Sequence, residues 1–233
     1  TTDYYGVIRS SAQSGCKAAF LIEHGFHTNV KDSAFLVSSA NLRQLAKEEA
    51  KIIGDYYGYQ EVVSPTLTKI MGVAQATTYQ MANYLLKINP QAEPWVYAYV
   101  SYYINEGKTE GVRGDIAFAQ SCLETGNFMF KGSAVKFEQN NFCGMGVTSN
   151  GMVGNSFEQP WLGIRAQIQH LKAYADLGDL VQDNVDPRFK YVTRGVAPYV
   201  EWLGAKENPK GTGWASGANY GDKILGILNG ILA

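Results

Sequence analysis

The stretch DIAFAQSCLETGNF, residues 115–128, decides how the chain is read. Ile116, Ala119 and Leu123 recur at helical spacing, and Phe118 with Cys122 adds a second apolar pair four residues apart. A helix apolar on more than one face belongs inside a core. Asp115 suits its N-cap and Gly126 its C-terminal stop, which puts Glu124 in or just after the last turn. That is the unfavourable end of the helix dipole for a negative charge. A carboxylate half withdrawn from water there is expected to have a raised pKa, so part of the population keeps its proton. A proton donor is the natural use of such a group. The plain alternative is a solvated glutamate at a helix end.

Working outward, the chain of 233 residues with a formal net charge of -1 is long enough for one good-sized core or two small ones. No apolar run approaches the roughly 18 residues that a membrane helix needs, and the first residues, TTDYYGVIRSS, do not read as an export signal. Without a dense Lys/Arg run, neither nucleic acid nor a membrane surface is an expected partner. Three cysteines, Cys16, Cys122 and Cys143, are too few for a disulfide framework, although one bridge such as Cys122–Cys143 stays open. The 15 tyrosines, with Trp, Phe and Gly, suit a cleft in which sugar faces stack on rings, but aromatic residues more often fill cores.

Three segments follow from the pattern. In residues 1–58, KAAFLIEHGF (17–26) reads as a buried strand and SSANLRQLAKEEAKIIGDYYG (38–58) as an amphipathic helix closed by Gly58. One strand and one helix bury too little to fold alone, so this piece reads as part of a larger α/β layer. The pattern resets at Ser-Pro, giving a linker over 59–66. From 67 to 233 the chain is mainly helical, with TTYQMANYLLKI (77–88), AEPWVYAYVSYYINEG (92–107), the Glu124 helix and WLGIRAQIQHLKAYADLG (161–178). Between the last two, NNFCGMGVTSNGMVGNSF (140–157) is rich in Gly, Asn and Ser and carries an Asn-Gly turn signal, so a small β hairpin lobe is expected. A helical body, a carboxylate at the end of its buried helix and a polar lobe beside it form a cleft with an acid at the floor. Cleavage of a glycosidic bond uses such a group to protonate the leaving oxygen as oxocarbenium-like charge grows on the sugar.

Five segments, GDIAFAQSCLETGNF, EQNNFCGMG, RAQIQHLKAYA, DPRFKYVTRG and GWASGANYGDKI, occur in order and without large gaps. Together they resemble the family 73 glycoside hydrolases, bacterial endo-β-N-acetylglucosaminidases that cut peptidoglycan glycan strands. The resemblance implies a lysozyme-like fold, mainly α with a small β lobe, and Glu124 as general acid. It also implies Tyr220 lining the site near the scissile bond, no cofactor, and a secreted or cell-wall setting, as an autolysin or a phage endolysin. A second catalytic group is left open: Glu138 and Glu158 are the local carboxylates, and the substrate's own acetamido group is the other route. Glu138 serves equally to orient the Asn140–Asn141 loop, and Glu158 to cap the helix near Trp161. Gln120, one turn before Glu124, is a candidate substrate contact or a structural amide. Asn140, Asn141 and Phe142 suit an N-acetyl group and a sugar ring, and Trp214 is either a ring platform or a core residue. A lytic transglycosylase and a silent glycan-binding module are the competing functions.

The N-terminal piece carries a resemblance of its own. FLIEHGFHTN (20–29), followed by DSAFLVSSANLRQLAKEEAKIIGDYYG (32–58), resembles the last strand and helix of zinc-dependent N-acetylmuramoyl-L-alanine amidases. That implies an acid/base role for Glu23 in a complete domain, where zinc would be expected. The family's zinc ligands come from strands upstream of this region, so amidase activity of this chain is not expected, whereas pairing with missing amidase strands is. His24 and His27 sit three apart at a strand end, without a third ligand nearby, and His170 reads as a packed helix residue, so no metal site is expected.

Overall fold

The computed structural model describes residues 5–15, 21–57, 67–147 and 151–233, and divides the chain into two compact units, Thr1–Ser64 and Pro65–Ala233. The expected linker at 59–66 lies outside the described residues.

The N-terminal unit contains α1 (Gly6–Gln13), α2 (Val30–Leu36) and α3 (Ser39–Tyr57). Asn29 caps α2 by accepting from the N–H groups of Lys31 and Asp32. The amphipathic pattern at 38–58 is realised as α3. The expected strand is not: residues 17–20 lie outside the described residues, and 21–26 run without regular structure, with Leu21, Ile22 and Phe26 exposed. A strand keeps its form by exchanging backbone hydrogen bonds with a neighbour, and no described strand offers it one.

The C-terminal unit is built on α4 (Thr78–Ile88), α5 (Val96–Glu110), α6 (Gly114–Glu124), α7 (Pro160–Ala175) and α8 (Tyr220–Leu232), with short 3-10 turns between them. Helix α6 carries the doubly apolar stretch that begins at Asp115, and every residue from Gly114 to Cys122 is buried, as its two apolar faces demand. Helices α5, α7 and α8 pack around it. A Cβ at Gly114 would lie 2.2 Å from the Tyr103 carbonyl oxygen, so only glycine permits this approach of α5 and α6.

Arg113 rather than Asp115 occupies the N-cap of α6. Asp115 lies inside the first turn, fully buried, where its carboxylate is more useful to its neighbours than as a cap. It accepts from Gln75 N (2.8 Å), Ala76 N (3.2 Å) and the Arg113 guanidinium (3.1 and 2.8 Å), which ties the segment before α4 to the central helix. At the other end, Gly126, Asn127 and Phe128 all take positive φ near 58°. This left-handed turn is costly for two non-glycine residues. It is held by Thr125, whose hydroxyl donates to Ser121 O (2.6 Å) and accepts from Phe128 N (2.8 Å), and by the Phe128 ring against Trp95, Phe118 and Phe142.

No ladder forms among the described residues; the three bridges, Lys69 with Tyr199, Met71 with Val112 and Gly204 with Ala215, are isolated. The lobe after α6 is therefore not a β hairpin in the described residues, Asn150 of its turn signal lying outside them. It is knit by amides instead. Asn141 accepts from Met145 N (2.9 Å) and donates to Met145 O (2.9 Å) and Asn155 O (3.0 Å), while Gln139 donates to Val153 O (2.9 Å). Side-chain amides that capture backbone groups compete with strand pairing, which explains why a Gly- and Asn-rich run forms a loop here.

Candidate active site

Glu124 is the last residue of α6, held at a defined place because the nine residues before Leu123 are locked in the core. Its side chain is half-buried and opens on a pocket of about 280 Å³ lined with Ser133, Ala134, Val135, Cys143, Gly144, Val147, Trp214 and Ala215. A second pocket of about 150 Å³ shares Cys143, Gly144, Val147 and Trp214 and adds His170, Tyr174, Arg188 and Tyr191. Among the described residues, no Asp or Glu other than Glu124 lines either pocket.

The two oxygens of Glu124 differ. Oε1 accepts a short hydrogen bond from the hydroxyl of Tyr220, the first residue of α8. Oε2 lies beside Gly144, 3.9 Å from where a Cβ there would sit, and has no hydrogen-bond partner among the described residues. Burial raises the Glu124 pKa above the ordinary carboxylate value, and the Tyr220 hydrogen bond opposes that rise without cancelling it. The Tyr220 phenol is pushed up as well, by burial first and then by the adjacent carboxylate. The pair thus keeps its proton inventory at neutral pH better than exposed groups would.

The remaining candidates are placed differently from one another. Gln120 is fully buried behind Tyr220, donating to its hydroxyl (2.9 Å) and accepting from Gln167 (2.8 Å), so it supports the site from inside. Asn141 is fully buried and its amide is saturated by the loop. Phe142 is a core ring against Tyr99 and Phe128, with centroids 5.4 and 5.5 Å apart. Asn140 donates to Phe157 O (2.8 Å) and so anchors the loop's far side. These three shape the lobe rather than face the pocket. Trp214 does face it, precedes α8 rather than belonging to it, and stacks edge-on to His170 at 4.8 Å. Glu138 and Glu158 are exposed and line neither pocket, and Gln159, not Glu158, is the N-cap of α7.

His170 is packed as expected, its Nδ1 2.6 Å from Asp186. Cys122 and Cys143 are both free thiols, buried and unbridged, so the bridge left open between them is not formed, and Cys16 lies outside the described residues. Burial raises both their pKa values, so neither is a ready nucleophile. Among the described residues no three His, Cys, Asp or Glu side chains come together as a metal site, and no helix is long and apolar enough to cross a membrane. In the N-terminal unit Glu23 is exposed and His24 pairs with Glu49 at 2.9 Å.

Sequence reading missed Gln167, Ser121 and Tyr103 behind Tyr220. Their signal was polar residues recurring inside otherwise apolar helices, as in AQIQH (166–170), where a buried amide must find partners.

The sequence model of the glucosaminidase family, described as mannosyl-glycoprotein endo-beta-N-acetylglucosaminidase, matches residues 100–232. The chain belongs to the glucosaminidase family. The glucosaminidase match covers α6, the amide-knit lobe, α7 and α8, and with them every residue placed around Glu124, and its helical architecture is that of a mainly α, lysozyme-like domain. Membership makes this glucosaminidase a glycoside hydrolase. The chain is also 43% identical over 149 residues, 64% of its own length and 69% of the relative's, to an uncharacterized protein of Borreliella burgdorferi (strain ATCC 35210 / DSM 4680 / CIP 102532 / B31). No solved structure matches the glucosaminidase significantly.

Proposed function

We propose that the chain is an endo-acting peptidoglycan hydrolase that cleaves the β-1,4 bond between N-acetylglucosamine and N-acetylmuramic acid, with Glu124 as general acid. The observation that carries this reading is Glu124 itself: a pocket-lining carboxyl with a raised pKa, one oxygen held by Tyr220 and the other beside Gly144 of the pocket wall. In its protonated form it donates to the leaving oxygen as the glycosidic bond breaks. Trp214 supplies an apolar face for a sugar ring at the pocket wall.

That Glu124 is the one carboxylate lining the pocket among the described residues supports a route in which the second group comes from the substrate. The acetamido carbonyl oxygen would attack the anomeric carbon as the bond to the leaving oxygen breaks and that oxygen takes the Glu124 proton, closing an oxazolinium ring; water, giving a proton back to the Glu124 carboxylate, would then add at the anomeric carbon and reopen the ring. Glu138 and Glu158 are exposed and do not line the pocket, which disfavours them for that task. The chain's partner is the glycan strand of the wall, its setting extracellular or at the wall, with a phage endolysin acting on the same wall as the other origin. Residues 1–58 are proposed as the C-terminal piece of an amidase domain whose strands would pair with them, on the resemblance around Glu23.

Purified peptidoglycan incubated with the parent should release reducing ends that mass spectrometry identifies as N-acetylglucosamine. Glu124→Gln should abolish the release; undiminished release would sink the acid assignment. Anhydromuramic ends would replace hydrolysis by lytic transglycosylation, to which a single cleft carboxylate is also suited.

A further inference from the structure

Behind Tyr220 a file of fully buried polar side chains runs through the core: Tyr103 of α5, Ser121 and Gln120 of α6 and Gln167 of α7. Tyr103 OH donates to Ser121 Oγ (2.7 Å), Ser121 Oγ to Gln167 Oε1 (2.8 Å), Gln167 Nε2 to Gln120 Oε1 (2.8 Å) and Gln120 Nε2 to Tyr220 OH (2.9 Å). The file ends with Tyr220 donating to Glu124 Oε1.

One backbone group sets its direction. The same Gln167 Nε2 lies 3.0 Å from the carbonyl oxygen of Ala117, which can only accept. The amide atom at that point must therefore be nitrogen. Gln120 then has to present oxygen to Gln167, which leaves its nitrogen for Tyr220. A hydroxyl already receiving a proton from an amide has its own proton for its remaining partner, which is Glu124. Reversing any link would set two donors or two acceptors face to face in a site without water access, at a cost of roughly 1–3 kcal/mol per orphaned group.

We propose that Gln167 and Gln120 are positioning residues that fix the Tyr220 hydroxyl as a donor to Glu124 Oε1, so that the acidic proton is carried on Oε2, the oxygen beside the pocket-lining Gly144 and without a hydrogen-bond partner among the described residues. This rests on the reading of Glu124 as the general acid. A proton on Oε1 would meet the Tyr220 proton head-on. Without the file, Tyr220 is free to turn and accept from Glu124, and the proton would be held in an internal hydrogen bond away from the sugar.

The titratable groups facing Glu124 are Tyr220 from α8 and Cys143 from the loop, with Asp186 acting on Cys143 from farther along the chain. Tyr103 closes the file at α5. The phenols and the thiol are all raised by burial, so they stay neutral through the range in which Glu124 changes charge.

The test uses the full chain with Gln167→Met, a near-isosteric change that touches neither Tyr220 nor the pocket. Soluble glycan strands from peptidoglycan supply kcat, KM and the pH at which the basic limb of kcat falls, and a thermal melt reports folding. The expected result is kcat reduced about tenfold, a modest share of the 10²–10⁴-fold that general acids contribute, with KM within about twofold. The basic limb moves to higher pH, because Glu124 has lost a donor that favours its charged form. Gln120→Met, which removes the donor to Tyr220 directly, should do the same and decides the matter if Gln167→Met does not fold. A folded variant with the parent's kcat and pH profile overturns the proposal, as does a loss confined to KM. Glu124→Gln separates the two levels: an active Glu124→Gln protein removes the acid reading, whereas an inactive one beside a parent-like Gln167→Met removes the file alone.

Discussion

Tyr220 donates its hydroxyl proton to Glu124, joining the first residue of α8 to the last residue of α6. The two are 96 positions apart in sequence. Their meeting follows from packing: α6 is buried on both faces, so α8 lies along it, and Tyr220 enters with its ring buried. The contact has two opposed effects on the acid. Burial of the pair raises the Glu124 pKa, and the hydrogen bond restrains the rise, leaving a group able to hold a proton and still release it.

Replacing Glu124 by Gln should therefore remove activity and stabilise the fold at neutral pH. The sign follows from linkage: the folded-state pKa is above the unfolded one, so the native state binds more protons between the two, and stability falls as pH rises through that window. Above it, the ionised parent carries a penalty that the neutral amide does not. Thermal melts at neutral and at acid pH should show Glu124→Gln ahead of the parent only at the higher pH. Equal melting temperatures at both would show that the carboxyl is not strained when charged.

Tyr220→Phe keeps the ring and deletes the donor. Glu124 loses the one hydrogen bond that lowers its pKa, so the basic limb of the pH–rate profile should move up, with kcat reduced. The change also strands the Gln120 amide nitrogen in the core, which should cost about 1–3 kcal/mol of stability. Denaturant unfolding at neutral pH measures the second effect and the rate profile the first. An unshifted limb would mean that Tyr220 does not tune Glu124.

Glu138→Gln and Glu158→Gln should each leave kcat within about threefold of the parent, since surface changes away from a site seldom matter and neither residue lines the pocket. Steady-state kinetics on glycan strands checks this. A loss of a hundredfold or more in one of them would identify the second catalytic carboxylate and displace the substrate-assisted route.

What was legible in the sequence was whatever a helical period encodes. Helix α6 with Glu124 at its end, the amphipathic α3 and the register of Ile164, Ile168 and Leu171 along α7 follow from spacing, because an apolar stripe has one way to be buried. The loop chemistry was not legible. The amide of Asn141 and the ring of Phe142 suit a sugar site, yet the same properties suit a loop that must satisfy its own backbone and fill a core. Local sequence points to Asp115 as a cap, whereas its partners Gln75 and Ala76 are brought by tertiary packing. Gln167 could not be paired with Gln120 from sequence, since helix-to-helix contacts leave no local signature.

Acid should unfold the C-terminal unit through two buried carboxylates. For Asp115, burial alone would raise the pKa, but the Arg113 guanidinium and the Gln75 and Ala76 N–H groups hold it below the usual value. For Glu110, burial is likewise outweighed by the N–H groups of Val181 and Gln182 and by the Lys172 ammonium at 2.9 Å. A depressed folded pKa means that the native state binds fewer protons than the unfolded chain, so each group stabilises above its unfolded pKa and loses that contribution as pH falls through the folded one. Stability should therefore drop below the ordinary carboxylate range. Lys172→Met would leave Glu110 buried without its cation, which should cost about 3–5 kcal/mol at neutral pH and shrink the acid-induced loss, because Glu110 would then titrate nearer its unfolded value. Urea unfolding of parent and variant at neutral and at acid pH tests both statements. Parallel losses in the two proteins would show that the Glu110–Lys172 pair does not contribute to the acid transition.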